Sequence, residues 1–326
     1  MHHLDAEDWR PAASLEALRA RGRLLEGVRS FFRERGVLEV ETPVLGNAAG
    51  TDPHLAPLRV WHGAAGGRML YLQTSPEFAM KRLLAAHGVP IYQVTRAFRD
   101  DERGSLHNPE FTLLEWYRPG WDHQALMGEV EALFERVVGT EGARRLTYRE
   151  AFRSAVGLDP FDSAPQDLRE RASRHGLATA PGAGGEGDRE ACLDFLFAVV
   201  VQPWLSAVPL AFVYDYPASQ AALARIRPDD PPVAERFEAF LGGVEVANGY
   251  HELTDAGEQA RRFEADLARR RAEGLPEVPM DGRLVAALRA GLPPCAGVAC
   301  GLDRMLLAAR GGARIDEVLA FPLERA

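Results

Sequence analysis

The chain has 326 residues, 46% of them hydrophobic, which allows a full core in one large domain or two smaller ones. With 47 acidic against 38 basic residues, its net charge of -9 disfavours a broad nucleic-acid surface, because neutralising phosphates needs clustered cations. No apolar run reaches the roughly 18 residues of a membrane span, and the opening MHHLDAEDWR is too polar for a signal peptide.

In chain order, Leu15, Leu18, Leu25, Val28, Phe31 and Phe32 predict an amphipathic helix over 14–35, with Ser14 as N-cap and Gly36 as its stop. Periodicity alone leaves its apolar face open between core packing and a dimer contact. Residues 37–41 read as a short strand halted by Thr42-Pro43, 47–67 as a loop rich in Gly, Ala and Pro, and 69–72 as a strand. Thr74-Ser75-Pro76-Glu77 starts a helix that runs to Gly88, with Ser75 as cap and Pro76 at the first helical position, where its missing N–H costs nothing. Glu77 in the first turn either serves the helix dipole, worth at most ~1 kcal/mol, or points into a site. Lys81, on the same helix, is the only lysine. The remaining cationic charge is arginine, suited to bidentate phosphate and carboxylate contacts and equally explained by compositional bias.

Two apolar-rich runs, 91–98 and 111–117, flank a polar loop containing Gly104, Asn108 and Pro109, the pattern of a long-looped β-hairpin. The two-residue period puts Phe111, Leu113, Glu115 and Tyr117 on one face and Thr112, Leu114, Trp116 and Arg118 on the other. One face therefore carries a ring, a carboxylate and a phenol, with Arg99 across the hairpin and His107-Asn108 in the loop. A nucleotide site needs such a stacking ring and such cations.

Further on, Asp122 caps a helix with Leu126, Val130, Leu133, Phe134 and Val137 inward, and Thr147-x-x-Glu150 is a capping box for the next. Residues 157–207 read as a helical insertion: a helix near 167–175, a PGAGGEG loop and an apolar helix around 193–201. Residues 237–241, Gly242-Gly243 and 244–247 form a hairpin with a two-residue turn. In that register residue 240 faces 245 and 238 shares its face, so Glu238 and Glu245 become diagonal neighbours, a spacing that suits magnesium. Asn248-Gly249 suggests a bulge that re-phases the strand and aims Glu252 to the same side. Finally, GVACGLDR, residues 297–304, is a strand of small residues running into a helix, with Arg304 in the first turn where a phosphate also meets backbone N–H groups. Cys192, Cys295 and Cys300 lack the spacing of a disulfide framework or zinc site, which fits a reducing, cytoplasmic home.

VLEVETP, FRDDE with HNPEFTLLEWY, EVANGYHELTD and GVACGLDR, in this order, resemble the three motifs and substrate hairpin of class II aminoacyl-tRNA synthetases. TSPEFAMKRLL, FVYDYPASQAALA and EVLAFPLERA extend the likeness over nearly the whole chain to the lysyl-tRNA synthetase group. Within that group the chain looks most like the paralogue family that ligates lysine or β-lysine to elongation factor P. The resemblance implies an α+β class II synthetase-like catalytic domain spanning 1–326, an antiparallel sheet flanked by helices, homodimeric through motif 1. ATP and Mg2+ are implied as co-substrate and ion, and elongation factor P and lysine or (R)-β-lysine as partners, without a stable nucleic-acid or membrane partner.

By position, Arg99 matches the α-phosphate arginine, His107 and Arg304 match groups near the β/γ-phosphates, and Phe111 matches the adenine-stacking ring, with Arg304 on its other side. Arg99 and Arg304 are the implied catalytic pair. Asp101 and Asn108 match adenosine contacts, although lysyl enzymes usually carry Glu where Asp101 stands, and Asp100, Val246 and Gly301 are counted with the ATP site. Glu238 and Glu245 match the magnesium carboxylates. Glu115, Tyr117 and Glu252 match the pocket for the terminal ammonium and Glu77 the carboxylate for the other amine, with Ser75, Pro76 and Ala299 also against the substrate. Ala299 replaces a glycine general among the tRNA enzymes, a methyl's worth of reshaping that suits an amine moved to the β carbon. Motif 1 beginning at Val37 leads to the expectation that the anticodon-binding barrel is absent. Ligation to elongation factor P is the reading this supports, against tRNA lysylation by a truncated synthetase or a non-catalytic, regulatory paralogue.

Overall fold

The structure is a computed structural model and describes residues 9–63, 66–100, 102–178 and 186–326. Asp101 and residues 181–185 of the PGAGGEG loop lie outside the described residues. The helix Leu15–Glu34 forms where periodicity places it, with Ser14 Oγ accepting from Ala17 N at 3.1 Å and Gly36 in a left-handed conformation at its end. Its apolar face, Leu24, Val28, Phe31 and Phe32, is buried in the chain's own core.

Its main element is a nine-stranded sheet. From one edge the strands are Leu38–Glu39, Ile91–Phe98, Glu110–Pro119, Cys295–Gly301, Val244–His251, Val233–Leu241, Leu210–Pro217 and Arg144–Thr147, with Ile226–Arg227 paired beside Val233–Leu241. The six central strands are antiparallel, and the two outermost pairings, Leu38–Glu39 on Ile91–Phe98 and Arg144–Thr147 on Leu210–Pro217, are parallel. Alternation divides the faces. Leu210 and Phe212 enter the core beneath the helices Leu15–Glu34, His123–Val138 and Leu302–Ala309, whereas Ala211 and Val213 enter a second core under the helices of residues 148–205. A third core sits on this second face at the opposite end, where Tyr117 and Ile91 meet Met80 and Leu84 of the helix Glu77–His87 and Leu284 and Leu288 of Gly282–Gly291. The middle of that face is left between two cores, and the site lies there.

Both capping signals form: Asp122 accepts from Ala125 N at 2.8 Å, and Thr147 and Glu150 complete a capping box. Strand 37–41 shortens to Leu38–Glu39, and a strand, Arg59–His62, arises inside the expected loop by pairing with Arg68–Leu72 in a separate three-stranded sheet. Pairing with Arg68–Leu72 makes that strand. The helix expected to include Pro76 begins at Glu77. Pro76 is its cap residue, and Ser75 Oγ accepts from Glu77 N at 3.0 Å. In the segment 157–207 the helices are Pro165–Arg174 and Glu186–Leu196, and Phe197–Val201 is a π-helical turn before Gln202–Leu205. Leu168, Ala172, Leu193 and Leu196 share one core with Ala211 and Val213 of the sheet. All three cysteines are buried and free.

Gly242 and Gly243, both at positive φ, make the expected two-residue turn, and Phe240 pairs with Glu245 as predicted. The bulge lies elsewhere than Asn248-Gly249. Ala239 pairs with Ala247 while Phe240 pairs with Glu245, so Val246 is the extra residue. Gly249 instead permits close packing: a Cβ there would lie 2.4 Å from Phe237 Cζ. Gly249→Ala is expected to destabilise the fold by about 1–3 kcal/mol through overpacking, read from chemical denaturation, and a change within error would contradict the packing role.

Candidate active site

The strand Glu110–Pro119 sends Phe111, Leu113, Glu115 and Tyr117 into a cavity of about 300 Å³. Its other face is tied down by Glu129 of the helix His123–Val138, which accepts from Trp116 Nε1 at 3.0 Å and Arg118 Nε at 2.8 Å. Gly297, Ala299 and Gly301 pair with Tyr117, Glu115 and Leu113, so the neighbouring strand lays a floor of small residues beside them. Any side chain at Gly297 would strike Tyr117, Cδ1 of which lies 2.4 Å from a built Cβ, and Glu252 Oε1 at 2.5 Å. The bulge at Val246 carries the parity. It lets Glu245, Asn248, Tyr250 and Glu252 all line the cavity although 245 and 248 are an odd number of residues apart.

At one end the cavity gathers cations. Arg99 lies over the Phe111 ring at 5.0 Å, and Arg304, in the first turn of Leu302–Ala309, donates to Leu106 O at 3.2 Å. Arg99 Nη1 is 2.8 Å, His107 Nε2 3.6 Å and Arg304 Nη2 3.7 Å from the Glu102 carboxylate. Three side chains from the hairpin and the last motif thus converge on one anion. Burial, then the charges of Arg304 and Arg99, hold His107 below its ordinary pKa.

Next to it stand Glu238 and Glu245. Glu238 is held by Arg236 and by the Tyr216 hydroxyl at 2.7 Å, while among the described residues Glu245 pairs with Arg304 alone, at 3.9 Å. Burial, then the charge of Glu238, pushes Glu245 up to about 7. Two neighbouring carboxylates, one of them short of cationic charge, are a donor set that fits a divalent ion.

The far end is anionic. Glu115 accepts from Ser75 Oγ at 2.8 Å and from the Tyr117 hydroxyl at 2.6 Å. Burial first, and the charge of Glu77 next, push its carboxyl up to about 8; burial also raises the Tyr117 phenol, which stays protonated and donates. Glu252 is pushed up to about 7 by burial, and Lys81 restrains it from rising further. Ala299, flanked by Glu115 and Asn248 in the sheet, presents its methyl beside this end.

The structure thus brings together Arg99, His107, Phe111, Glu115, Tyr117, Glu245, Val246, Glu252, Ala299, Gly301 and Arg304 around one cavity, with Ser75 and Glu77 at its rim. Pro76 and Glu238 line the adjoining cleft of about 1010 Å³. Asn108 borders the cavity but uses its amide on the fold, donating to Glu110 O at 2.6 Å and accepting from Leu323 N at 3.1 Å. Asp100 is exposed and outside the cavity wall, its N–H on Ala56 O. Sequence reasoning missed Glu102, Arg236, Tyr216 and Lys81. Glu102 is one more acid in an acidic loop, and nothing in its spacing sets it apart.

The family of class II tRNA synthetases (D, K and N) matches residues 4–325, and the chain belongs to that family. Similar proteins include the elongation factor P--(R)-beta-lysine ligases of Vibrio cholerae, 51% identical over 98% of this chain and 99% of the other, and of Proteus mirabilis, 49% identical over 98% of each. That of Edwardsiella ictaluri is 48% identical over 99% of both chains.

Because Glu102 occupies Arg99, His107 and Arg304, the groups expected from the sequence to meet phosphate, Glu102→Gln is expected to tighten ATP binding by roughly 3–10-fold, a rim-type charge effect. Calorimetric titration with ATP checks this, and weaker binding in the variant would show that Glu102 assists the nucleotide.

Proposed function

We propose that this chain is an ATP-dependent ligase that activates lysine or (R)-β-lysine as an aminoacyl-adenylate and transfers it to a lysine side chain of elongation factor P. One observation carries the reading. A single strand face holds Phe111 at the cationic end and Glu115 at the anionic end, four residues apart, or about 14 Å along the strand. A nucleotide stacked on Phe111 and a diammonium amino acid docked at Glu115 are then in line, with the α-phosphorus and the carboxylate meeting between them.

In the first step the amino-acid carboxylate oxygen attacks the α-phosphorus, the bond to the bridging oxygen breaks and pyrophosphate departs. Arg99 neutralises charge gathering on the α-phosphate, and Arg304 with His107 holds the leaving pyrophosphate. Glu115, Tyr117, Glu77 and Glu252 orient the two ammonium groups, so positioning and electrostatics carry the step without a protein nucleophile. Glu238 and Glu245 would hold Mg2+, which when bound supplies positive charge beside the phosphate oxygens. In the second step the acceptor amine attacks the adenylate carbonyl and AMP leaves. Lys81, the only lysine of the ligase, is buried in ion pairs, so no lysine of its own faces the acyl donor. A homodimer acting in the cytoplasm belongs to the same reading.

Intact-mass measurement of elongation factor P after incubation with ATP and either isomer tests the assignment. The expected result is one added lysyl mass, and charging of tRNA(Lys) with elongation factor P unmodified would overturn it. Arg99→Ala is expected to lower ATP–pyrophosphate exchange by ~10²–10³, the loss of one charge-stabilising donor. The pH profile follows from the raised carboxyls. Glu115 and Glu252 must lose protons to face ammonium groups, so kcat/KM for the amino acid should fall as pH drops through about 8 and about 7. An acid limb at ordinary carboxylate values would contradict the pocket assignment.

A further inference from the structure

Lys81 is a buried, doubly paired charge of the site and has no part in the chemistry above. It lies one turn after Glu77 in the helix Glu77–His87, its side chain 2% exposed, with Nζ 2.5 Å from Glu77 Oε1 and 2.6 Å from Glu252 Oε2. The three groups come from two elements that the sheet alone does not join, a helix and the end of the strand Val244–His251. Around them the charged and titratable neighbours are Glu115 and Tyr117 from Glu110–Pro119, Tyr250, and Cys295 from Cys295–Gly301. The helices Ala256–Ala272 and Gly282–Gly291 contribute apolar Phe263 and Leu284. Burial alone would pull the Lys81 pKa down, but the charges of Glu252 and Glu77 overcome it, and the group stays an ammonium.

Charge matching gives this ion pair triad a consequence. Three carboxylates face the anionic end, and one resident ammonium leaves two net negative charges when all are ionised, equal and opposite to the two ammonium groups of lysine. Lys81 takes one oxygen each from Glu77 and Glu252, while Glu115, tied only to Ser75 and Tyr117, meets no cation among the described residues. We propose that Lys81 is a positioning and specificity-determining residue: a built-in ammonium that ties down one oxygen each of Glu77 and Glu252, leaving Glu115 and the other oxygen of each partner for the substrate's two amines. The inference rests on the reading that a diammonium amino acid fills this pocket. A monoamine of the same length leaves one negative charge unmatched, which is how the pocket selects against it.

A single lysine makes the test direct. The protein carrying [ζ-15N]lysine should show one side-chain ammonium signal that is still protonated at about pH 11, above the ordinary lysine value of about 10.4, and shifts when L-lysine or (R)-β-lysine is added with ATP. A signal that titrates at the ordinary lysine value, or ignores the amino acid that supports exchange, overturns the proposal. In Lys81→Met, which keeps the bulk, KM for the amino acid should rise at least ~10-fold with KM for ATP little changed. The acid limb of kcat/KM should move to higher pH as Glu252 loses the cation that restrains its rise. Ethylammonium should restore part of the exchange activity of Lys81→Ala, which a purely packing role would not allow. An unchanged KM and acid limb in Lys81→Met also overturns the proposal, and if that variant fails to fold the 15N measurement on the unaltered chain decides. If pyrophosphate exchange runs on another amino acid, the substrate reading fails, while a Lys81 ammonium that shifts with that amino acid upholds the role of Lys81.

Discussion

Pleat parity along Glu110–Pro119 sets what every other part of the site can do, because the same ten residues must supply a core on one face and a binding surface on the other. Leu114 and Trp116 go into the core, and Glu129 fastens Trp116 and Arg118 from the helix behind. With that face pinned, Phe111, Glu115 and Tyr117 have no freedom to turn away, and a one-residue slip would exchange the two sets. The bulge at Val246 applies the same constraint two strands away: with strict alternation Glu245 and Glu252 would stand on opposite faces, and the phosphate and amine ends would be served by different sides of the sheet.

Such a site is held together at a cost to the fold. Glu115, Glu245 and Glu252 are all pushed up by burial, so each opposes folding when ionised at neutral pH. Lys81, Tyr117 and Ser75 offset part of that cost in the empty pocket, and a diammonium substrate offsets the rest. The cationic end has the opposite imbalance, with Arg99, His107 and Arg304 drawn to the single carboxylate of Glu102. The two ends therefore differ in charge character before any ligand arrives.

Much of this was legible in the chain. The strand faces around Glu115, the caps at Ser14, Asp122 and Thr147, and the Gly-Gly turn that pairs Phe240 with Glu245 all follow from local rules that act within a few residues. What was misread depended on partners far away in sequence. The strand Arg59–His62 exists because Arg68–Leu72 lies beside it, and the bulge falls at Val246 because two long strands must keep both Phe237 and Glu245 on their proper faces. Asn108, expected at the nucleotide, borders the cavity, and the donor to its side-chain oxygen, Leu323, lies more than two hundred residues later.

By itself the sequence determined the fold class, the order of motifs and the chemical character of each end of the site, since side-chain alternation and motif spacing are one-dimensional properties. Only the tertiary structure decided which charges meet. Lys81 in the sequence is one more basic residue on an amphipathic helix, and Glu102 one more acid in a loop. Their roles arise when the helix packs its Lys81 against the end of a distant strand, and when Arg304 is carried across to Glu102. Burial there turns charges that water would screen into strong, short-range constraints.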